Sequence, residues 1–301
     1  MSDNEPIVKG SWPLVEMRDG RPLWHVAGTN PPEYAPDERL ERLWCQSKRN
    51  RPMLNYIDQV MPGNSIRHLL ELPDQSVDAV VTDPPYSSGG QFRGDRMAKT
   101  SDKYQSPEHR GKYEEFAGDT RDQRAYHYWS TLWLSECWRI AKAGAPICVF
   151  SDWRQLPTTT DMLQAGGWVW RGIAVWDKTE AARPQKGRFR NQCEYIVWGS
   201  KGDMPIEGKC LPGVFRLPIN SGNKLHMTAK PMPIMRSILE ICPAGGVVLD
   251  PFFGSGSTGK AALEMGMHYI GMELVPEYYG IGTNNTATYQ TTLQLVESEA
   301  A

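Results

Sequence analysis

From residue 53 to about 280 the chain alternates between two spacings of apolar residues. Short, mostly apolar runs read as strands: "LNYI" (54–57), "VDAVVT" (77–82), "APICVF" (145–150), "WVWRGIAVW" (168–176), "CEYIVWG" (193–199), "GGVVLDPF" (245–252) and "HYIGMEL" (268–274). Stretches with apolar residues three and four apart read as helices: "SIRHLLEL" (65–72), "YWSTLWLSECWRIAKAG" (128–144), a segment through "DMLQAGG" (161–167), "PMPIMRSILEIC" (231–242) and "STGKAALEMG" (257–266). Repeated strand, helix, strand units predict an α/β fold, a doubly wound and mainly parallel sheet covered on both faces.

Two regions break this rhythm. Residues 1–50 are rich in proline and charge, with one short helical patch near Arg39 to Trp44, and read as an N-terminal extension to a domain over 51–301. Residues 87–125 are polar, glycine-containing and of mixed charge, too long for an ordinary connection, and read as a lid or a DNA loop. The aromatic group "YHYW" at 126–129 is assigned to the core of the following helix rather than to base stacking.

Composition narrows the picture only slightly. The formal net charge of -2 excludes a general polycation, so any nucleic-acid contact has to come from local basic patches. The six cysteines contain no C-x-x-C pair, so neither a zinc site nor a disulfide framework is indicated and no metal is expected. The first residues show no signal-peptide pattern and no run approaches the length of a membrane span, which gives a cytoplasmic expectation.

The chemistry concentrates in two segments. "LDPFFGSGSTG" carries Gly254, Gly256 and Gly259 in G-x-G-x-x-G spacing after a strand and before a helix, the context in which such a loop receives a nucleotide-like ligand. Glu273, at the end of the next strand, lies where a carboxylate would hold ribose hydroxyls. Asp250, at the mouth of the turn, would repel a pyrophosphate and favour a cationic ligand; S-adenosyl-L-methionine has two cations and no phosphate. The second segment, "TDPPY", ends an apolar strand with two prolines that stiffen the corner and remove two N–H donors. Asp83 and the Pro84 carbonyl can both accept hydrogen bonds from an exocyclic amine, localising its lone pair on nitrogen. Pro85 completes the rigid turn, and Tyr86 offers a face for stacking a flipped-out base.

Taken together, "TDPPY" and the later "LDPFFGSGSTG" resemble the DNA amino-methyltransferase family, in the permuted β group where the catalytic corner precedes the cofactor loop. The resemblance covers roughly residues 53–280 and extends to "FRNQCEYIVWGSKG" and "HMTAKPMPIMRSIL". It implies a fold of the S-adenosylmethionine-dependent methyltransferase type and direct transfer to a base nitrogen without a covalent enzyme intermediate. It further implies that Asp83, Pro84, Pro85 and Tyr86 are catalytic, and that Asp250, Phe252, Gly254, Gly256 and Glu273 bind the cofactor. Thr228 and Lys230 are implied beside its methionine part. Asn64 stands where the family often has an aspartate for the adenine. An Asp heading the tetrapeptide is commoner with adenine N6 than with cytosine N4, so adenine is favoured.

DNA recognition is expected from residues 177–225, where Lys178, Arg183, Lys186, Arg188 and Arg190 face the single acid Glu180 within 178–190; a solvated basic loop is the alternative. The expected partner is double-stranded DNA, with no membrane; a homodimer and a restriction endonuclease encoded elsewhere stay open. A methyltransferase acting on RNA or a protein amide, a non-catalytic DNA-binding module and a nicotinamide-dependent oxidoreductase are the rival readings.

Overall fold

The structure is a computed structural model describing residues 53–86, 121–182, 186–205, 208–218 and 230–290, the backbone of a helix running on to 300, and the backbone of three short strands before residue 36. Those strands, β1 (Glu16–Arg18), β2 (Arg21–His25) and β3 (Tyr34–Ala35), form a small antiparallel sheet. They correct the expectation of an extension whose only regular element is a helical patch. The signal was present: Arg18 pairs with Arg21, and the two residues between them in sequence are Asp19 and Gly20, a dipeptide that favours tight hairpins. The 39–44 patch and most of the 87–125 segment lie outside the described residues.

The main sheet has eight strands: β4 (Gln59–Pro62), β5 (Ala79–Thr82), β6 (Pro146–Ser151), β7 (Val169–Asp177), β8 (Cys193–Ser200), β9 (Val214–Arg216), β10 (Val247–Asp250) and β11 (His268–Glu273). Their spatial order is β4-β11-β10-β5-β6-β8-β7-β9, and every strand but β8 runs the same way. The central strands β5, β6 and β10 are buried along their whole length, which explains why they read as unbroken apolar runs.

Side chains leave each strand alternately to the two faces, and each face has its own core. Val80, Ile147 and Leu249 pack with Leu69, Trp133 and Leu163 from α1 (Ser65–Leu69), α2 (Gln123–Ile140) and α3 (Leu156–Ala165). Val81, Phe150 and Val248 pack on the other side with Ile234, Ile238 and Ala261 from α4 (Met232–Leu239) and α5 (Ser257–Glu264). The final helix, α6 (Pro276–Ala300), touches α5 and strands β4 and β11. Among the described residues no helix is long and apolar enough to cross a membrane.

One predicted strand is displaced. The run "LNYI" does not pair: Met53–Asn55 is a 3-10 turn, and the strand begins at Gln59. Asp58 takes a left-handed φ of 57°, its N–H donates to the Tyr269 carbonyl at 2.7 Å, and its Oδ1 accepts from the Tyr269 N–H at 3.1 Å. The chain therefore turns at Asp58 before joining β11, while Tyr56 and Ile57 go into the core. The paired strand "QVMP" buries only Val60, too weak an apolar pattern to stand out.

Candidate active site

Parallel strands expose ligand sites beyond their carboxyl ends, above all where neighbouring connections diverge. Here the ends of β4, β11, β10 and β5 meet, and side chains lace their loops together. Thr82 Oγ1, closing β5, donates to Asp250 Oδ1 of β10 at 2.7 Å. Ser65 Oγ donates to the Pro251 carbonyl at 2.5 Å, and the Gly63 N–H to the Glu273 carbonyl at 2.7 Å. The "TDPPY" corner and the glycine loop, 168 residues apart between Thr82 and Asp250, thus begin from one hydrogen bond.

The glycine loop is shaped by an aromatic ring as much as by room for a ligand. Phe253 is buried and stacks on Tyr269 at 5.3 Å between centroids. A Cβ at Gly259 would lie 2.6 Å from this ring and one at Gly271 2.5 Å, both impossible without displacement. Gly256, with a left-handed φ of 82°, has the same ring at 3.1 Å. Gly254 differs: its φ is 53° and a Cβ there would meet nothing, so this is the glycine that presents bare backbone to an open face. Beside it, Glu273 Oε2 accepts from the Gly254 N–H and Oε1 from the Val275 N–H, both at 2.8 Å. Each oxygen keeps a lone pair for a further donor. Phe252 turns the opposite way, onto Trp129 and Trp133 of α2 at 5.3 and 5.2 Å.

Asp250 is more enclosed than its position in the sequence implies. It is buried, and its Oδ1 also accepts from the Phe252 N–H at 3.0 Å, so the carboxylate braces the turn that was expected to open onto a ligand. Burial raises its carboxyl to about 6, against hydrogen bonds that hold it down.

At the other corner, Asp83 Oδ2 is paired with the Lys230 ammonium, while Asp83 Oδ1 is buried and has no hydrogen-bond partner among the described residues. Burial pushes the Asp83 carboxyl above its usual range, with Lys230 opposing the rise and Glu194 adding to it. Lys230 also lies 3.4 Å from Glu194 Oε2, and Glu194 Oε1 accepts from Lys178. Pro84 is buried; Pro85 and Tyr86 are half-buried, and Tyr86 packs against the core.

Several residues therefore sit differently from expectation. Lys230, expected beside a methionine carboxylate, has its ammonium engaged by two protein carboxylates. Lys178, expected on DNA phosphates, turns inward to Glu194 because a buried carboxylate competes better for it than solvent does. Asn64 caps α1, its Oδ1 accepting from the Ile66 N–H at 3.0 Å. Lys186 and Arg188 are exposed, and Arg190 is half-exposed with Nη1 donating to the Glu180 carbonyl. Arg183 and Thr228 lie outside the described residues. The aromatic group divides: Tyr126 is fully buried, whereas Tyr128 is exposed.

Sequence reasoning missed Glu194, Phe253 and two exposed aromatics at this edge. Trp153 follows β6 with the Arg154 guanidinium 5.1 Å from its ring, and Phe189 stands 98% exposed between Arg188 and Arg190. The doubled "FF" before G-x-G was the available signal for Phe253. A lone glutamate at the start of an apolar strand was the signal for Glu194.

The chain is similar to several known proteins. The N6/N4 methyltransferase family profile, described as DNA methylase, matches residues 77–212 and 212–284. YubD of Escherichia coli (strain K12), a putative methylase by its description, is 31% identical over 239 residues, spanning 79% of this chain and 94% of that protein. The type II methyltransferase M.HinfI of Haemophilus influenzae is 27% identical over 256 residues, 75% of this chain and 67% of the relative. Two solved structures share the fold. TTHA0409 of Thermus thermophilus, complexed with S-adenosyl-L-methionine, has a TM-score of 0.55 at 18% identity, covering 76% of this chain and 95% of that one. The cytosine-N4-specific PvuII DNA methyltransferase has a TM-score of 0.57 at 15% identity, covering 75% and 85%.

Proposed function

This chain belongs to the N6/N4 family of DNA methylases, and on that footing we propose that it methylates the exocyclic amine of a flipped-out base in double-stranded DNA, adenine N6 ahead of cytosine N4, with S-adenosyl-L-methionine as donor. The observation that carries the reading is Asp83 Oδ1, a buried acceptor without a hydrogen-bond partner among the described residues, at the end of the strand that Thr82 ties to the glycine loop. An unsatisfied buried acceptor costs free energy, and an incoming N–H donor would relieve it.

The residues present fit the cofactor. Gly254 offers backbone without a side chain, Glu273 lies beneath it with lone pairs to spare, and Asp250 is a carboxylate a cationic ligand would keep ionised. When bound, S-adenosyl-L-methionine supplies an electrophilic methyl group on a sulfonium. Asp83 Oδ1 and the Pro84 carbonyl draw on the two hydrogens of the amine, so that its lone pair leaves the ring and becomes nucleophilic. Tyr86 stacks on the base and offsets the cost of removing it from the duplex.

The surface around this edge supports a nucleic-acid substrate. β6, β7 and β9 end on the same side as β5, so Trp153 with Arg154, the Lys186 to Arg190 turn and Arg216 lie along one border of the sheet. Arginines interleaved with exposed aromatics suit phosphates and unstacked bases together. The Asp heading the tetrapeptide supports adenine. Incubation of unmethylated DNA with labelled cofactor, followed by nucleoside analysis, is expected to return N6-methyladenine. N4-methylcytosine would move the assignment to the other amine, and absence of label in either nucleoside would overturn it.

A further inference from the structure

The ion pairs behind Asp83 form one continuous chain, Asp83 to Lys230 to Glu194 to Lys178, with charges alternating in sign. Its geometry follows from strand order. Asp83 follows β5, Glu194 is the second residue of β8, and β6 lies between them, so the two carboxylates are separated by a full strand. Lys230 bridges that gap from the segment ahead of α4, with its Nζ 4.9 Å from the centre of the Phe150 ring of β6, an aromatic floor for the cation. Lys178 closes the outer end, 5.0 Å from the Trp176 ring, on the β7 residue paired with Glu194. Exposure falls to 7% for the Lys230 side chain and to 14% for Glu194, and rises to 23% for Asp83, where the chain reaches the site.

Building on the reading of Asp83 as the amine acceptor, we propose that Glu194 is a positioning residue. It shares Lys230 with Asp83 and is itself held by Lys178, so that one Asp83 oxygen is engaged and the other is kept aimed at the incoming amine. Without Glu194 the Lys230 ammonium has a single buried counter-charge and is free to settle across both Asp83 oxygens. That would cover the acceptor the amine needs. With Glu194 in place the ammonium also lies 3.4 Å from Glu194 Oε2, and Oδ1 has no hydrogen-bond partner among the described residues. A purely structural explanation is weak, since well-packed apolar side chains generally stabilise such a site as well as buried ions do.

The electrostatics agree. Burial alone would raise the Glu194 carboxyl, yet Lys230 and Lys178 bring it below its usual range. Burial would lower the Lys230 ammonium, yet Asp83 and Glu194 hold it above its usual value. Among the described residues, the charged and titratable groups facing Asp83 are Lys230, Glu194 and Lys178, together with Asp250 of β10 and Tyr126 of α2. Asp250 and Tyr126 remain in every variant below, so their contributions cancel.

The test is the pH dependence of single-turnover methyl transfer in the full chain. Glu194→Gln is expected to slow transfer about 10- to 10²-fold, the scale of a misplaced group, with cofactor affinity unchanged. Its acid limb is expected to move to lower pH, because a negative neighbour that opposes ionisation of Asp83 has gone. Lys230→Met should move the limb the other way, to higher pH. Opposite shifts identify charge control of Asp83; shifts in one direction, or none, overturn the proposal. Should Glu194→Gln not fold, Lys178→Met serves instead, with an upward shift expected and an unmoved limb refuting the idea. Asp83→Ala separates this from the underlying reading: transfer retained in that variant removes Asp83 as acceptor, whereas transfer lost with unmoved limbs elsewhere removes only Glu194.

Discussion

The glycine loop and the Asp83 corner leave adjacent strands of one sheet and are held by opposite means. The loop is fixed by the Gly254 N–H on Glu273 and by Gly259 and Gly271, packed too closely on the Phe253 ring for an added atom. The corner is fixed by charge, through side chains drawn from three separate segments of the chain. Close packing of glycines on an aromatic ring is indifferent to ionic strength, whereas a chain of ion pairs can be retuned by protonation or by an arriving ligand. That difference matches the two tasks proposed for them, since a cofactor must be seated repeatedly in one pose while an acceptor must wait, partly unsatisfied, for a base.

The sharpest way to separate the two halves is to remove the acceptor while leaving the cradle intact. Asp83→Ala is expected to cost about 10²- to 10³-fold in turnover, the range seen when a preorganised charge-stabilising group is deleted. Calorimetry should find cofactor binding largely spared, since the glycine loop keeps its own supports. A variant that lost both together would mean that the two halves are mechanically one.

The reciprocal change adds one methyl to the cradle. In Gly271→Ala the new Cβ would fall 2.5 Å from Phe253, and the ring has Tyr269 stacked on it, so it cannot simply withdraw. Overpacking of this kind costs about 1–3 kcal/mol, to be read from chemical or thermal unfolding. Combining it with Phe253→Leu should recover part of that loss, because the smaller side chain vacates the contact. No recovery would place the strain elsewhere.

What the sequence made legible follows the same division. The glycine loop was readable because its constraints are local: the run from Leu249 to Gly259 carries its own strand, turn and helix start, and Glu273 closes the next strand. The stiff "DPPY" corner was readable for the same reason. The partners of Asp83 were not, because Lys230 and Glu194 meet it only through strand order, and an inward lysine such as Lys178 looks identical in sequence to an outward one. Asn64 was read for a ligand when its nearer duty was the helix end that begins at Ser65. Gln59 to Pro62 hid as a strand because an edge position buries so little of it.

Asp250 tests the boundary between the halves, since it belongs to the steric loop but carries a charge. In the free protein burial raises its carboxyl to about 6, so ionisation is the costly state. The stability it contributes is therefore complete below the unfolded-chain value of roughly 3.9 and is lost as the pH rises through about 6. A cationic cofactor reverses the preference, because the proton must leave before the attraction is felt. Cofactor affinity should then climb by up to about tenfold per pH unit below that point and level off above it. Asp250→Asn retains an oxygen for Thr82 and the Phe252 N–H but discards the charge, so its affinity should be weaker at neutral pH and flat across the same range. Calorimetric titrations from about pH 5 to pH 8 distinguish the cases. A flat profile in the unmodified protein would mean that the cofactor never senses this carboxylate, and that Asp250 serves only to join β10 to β5.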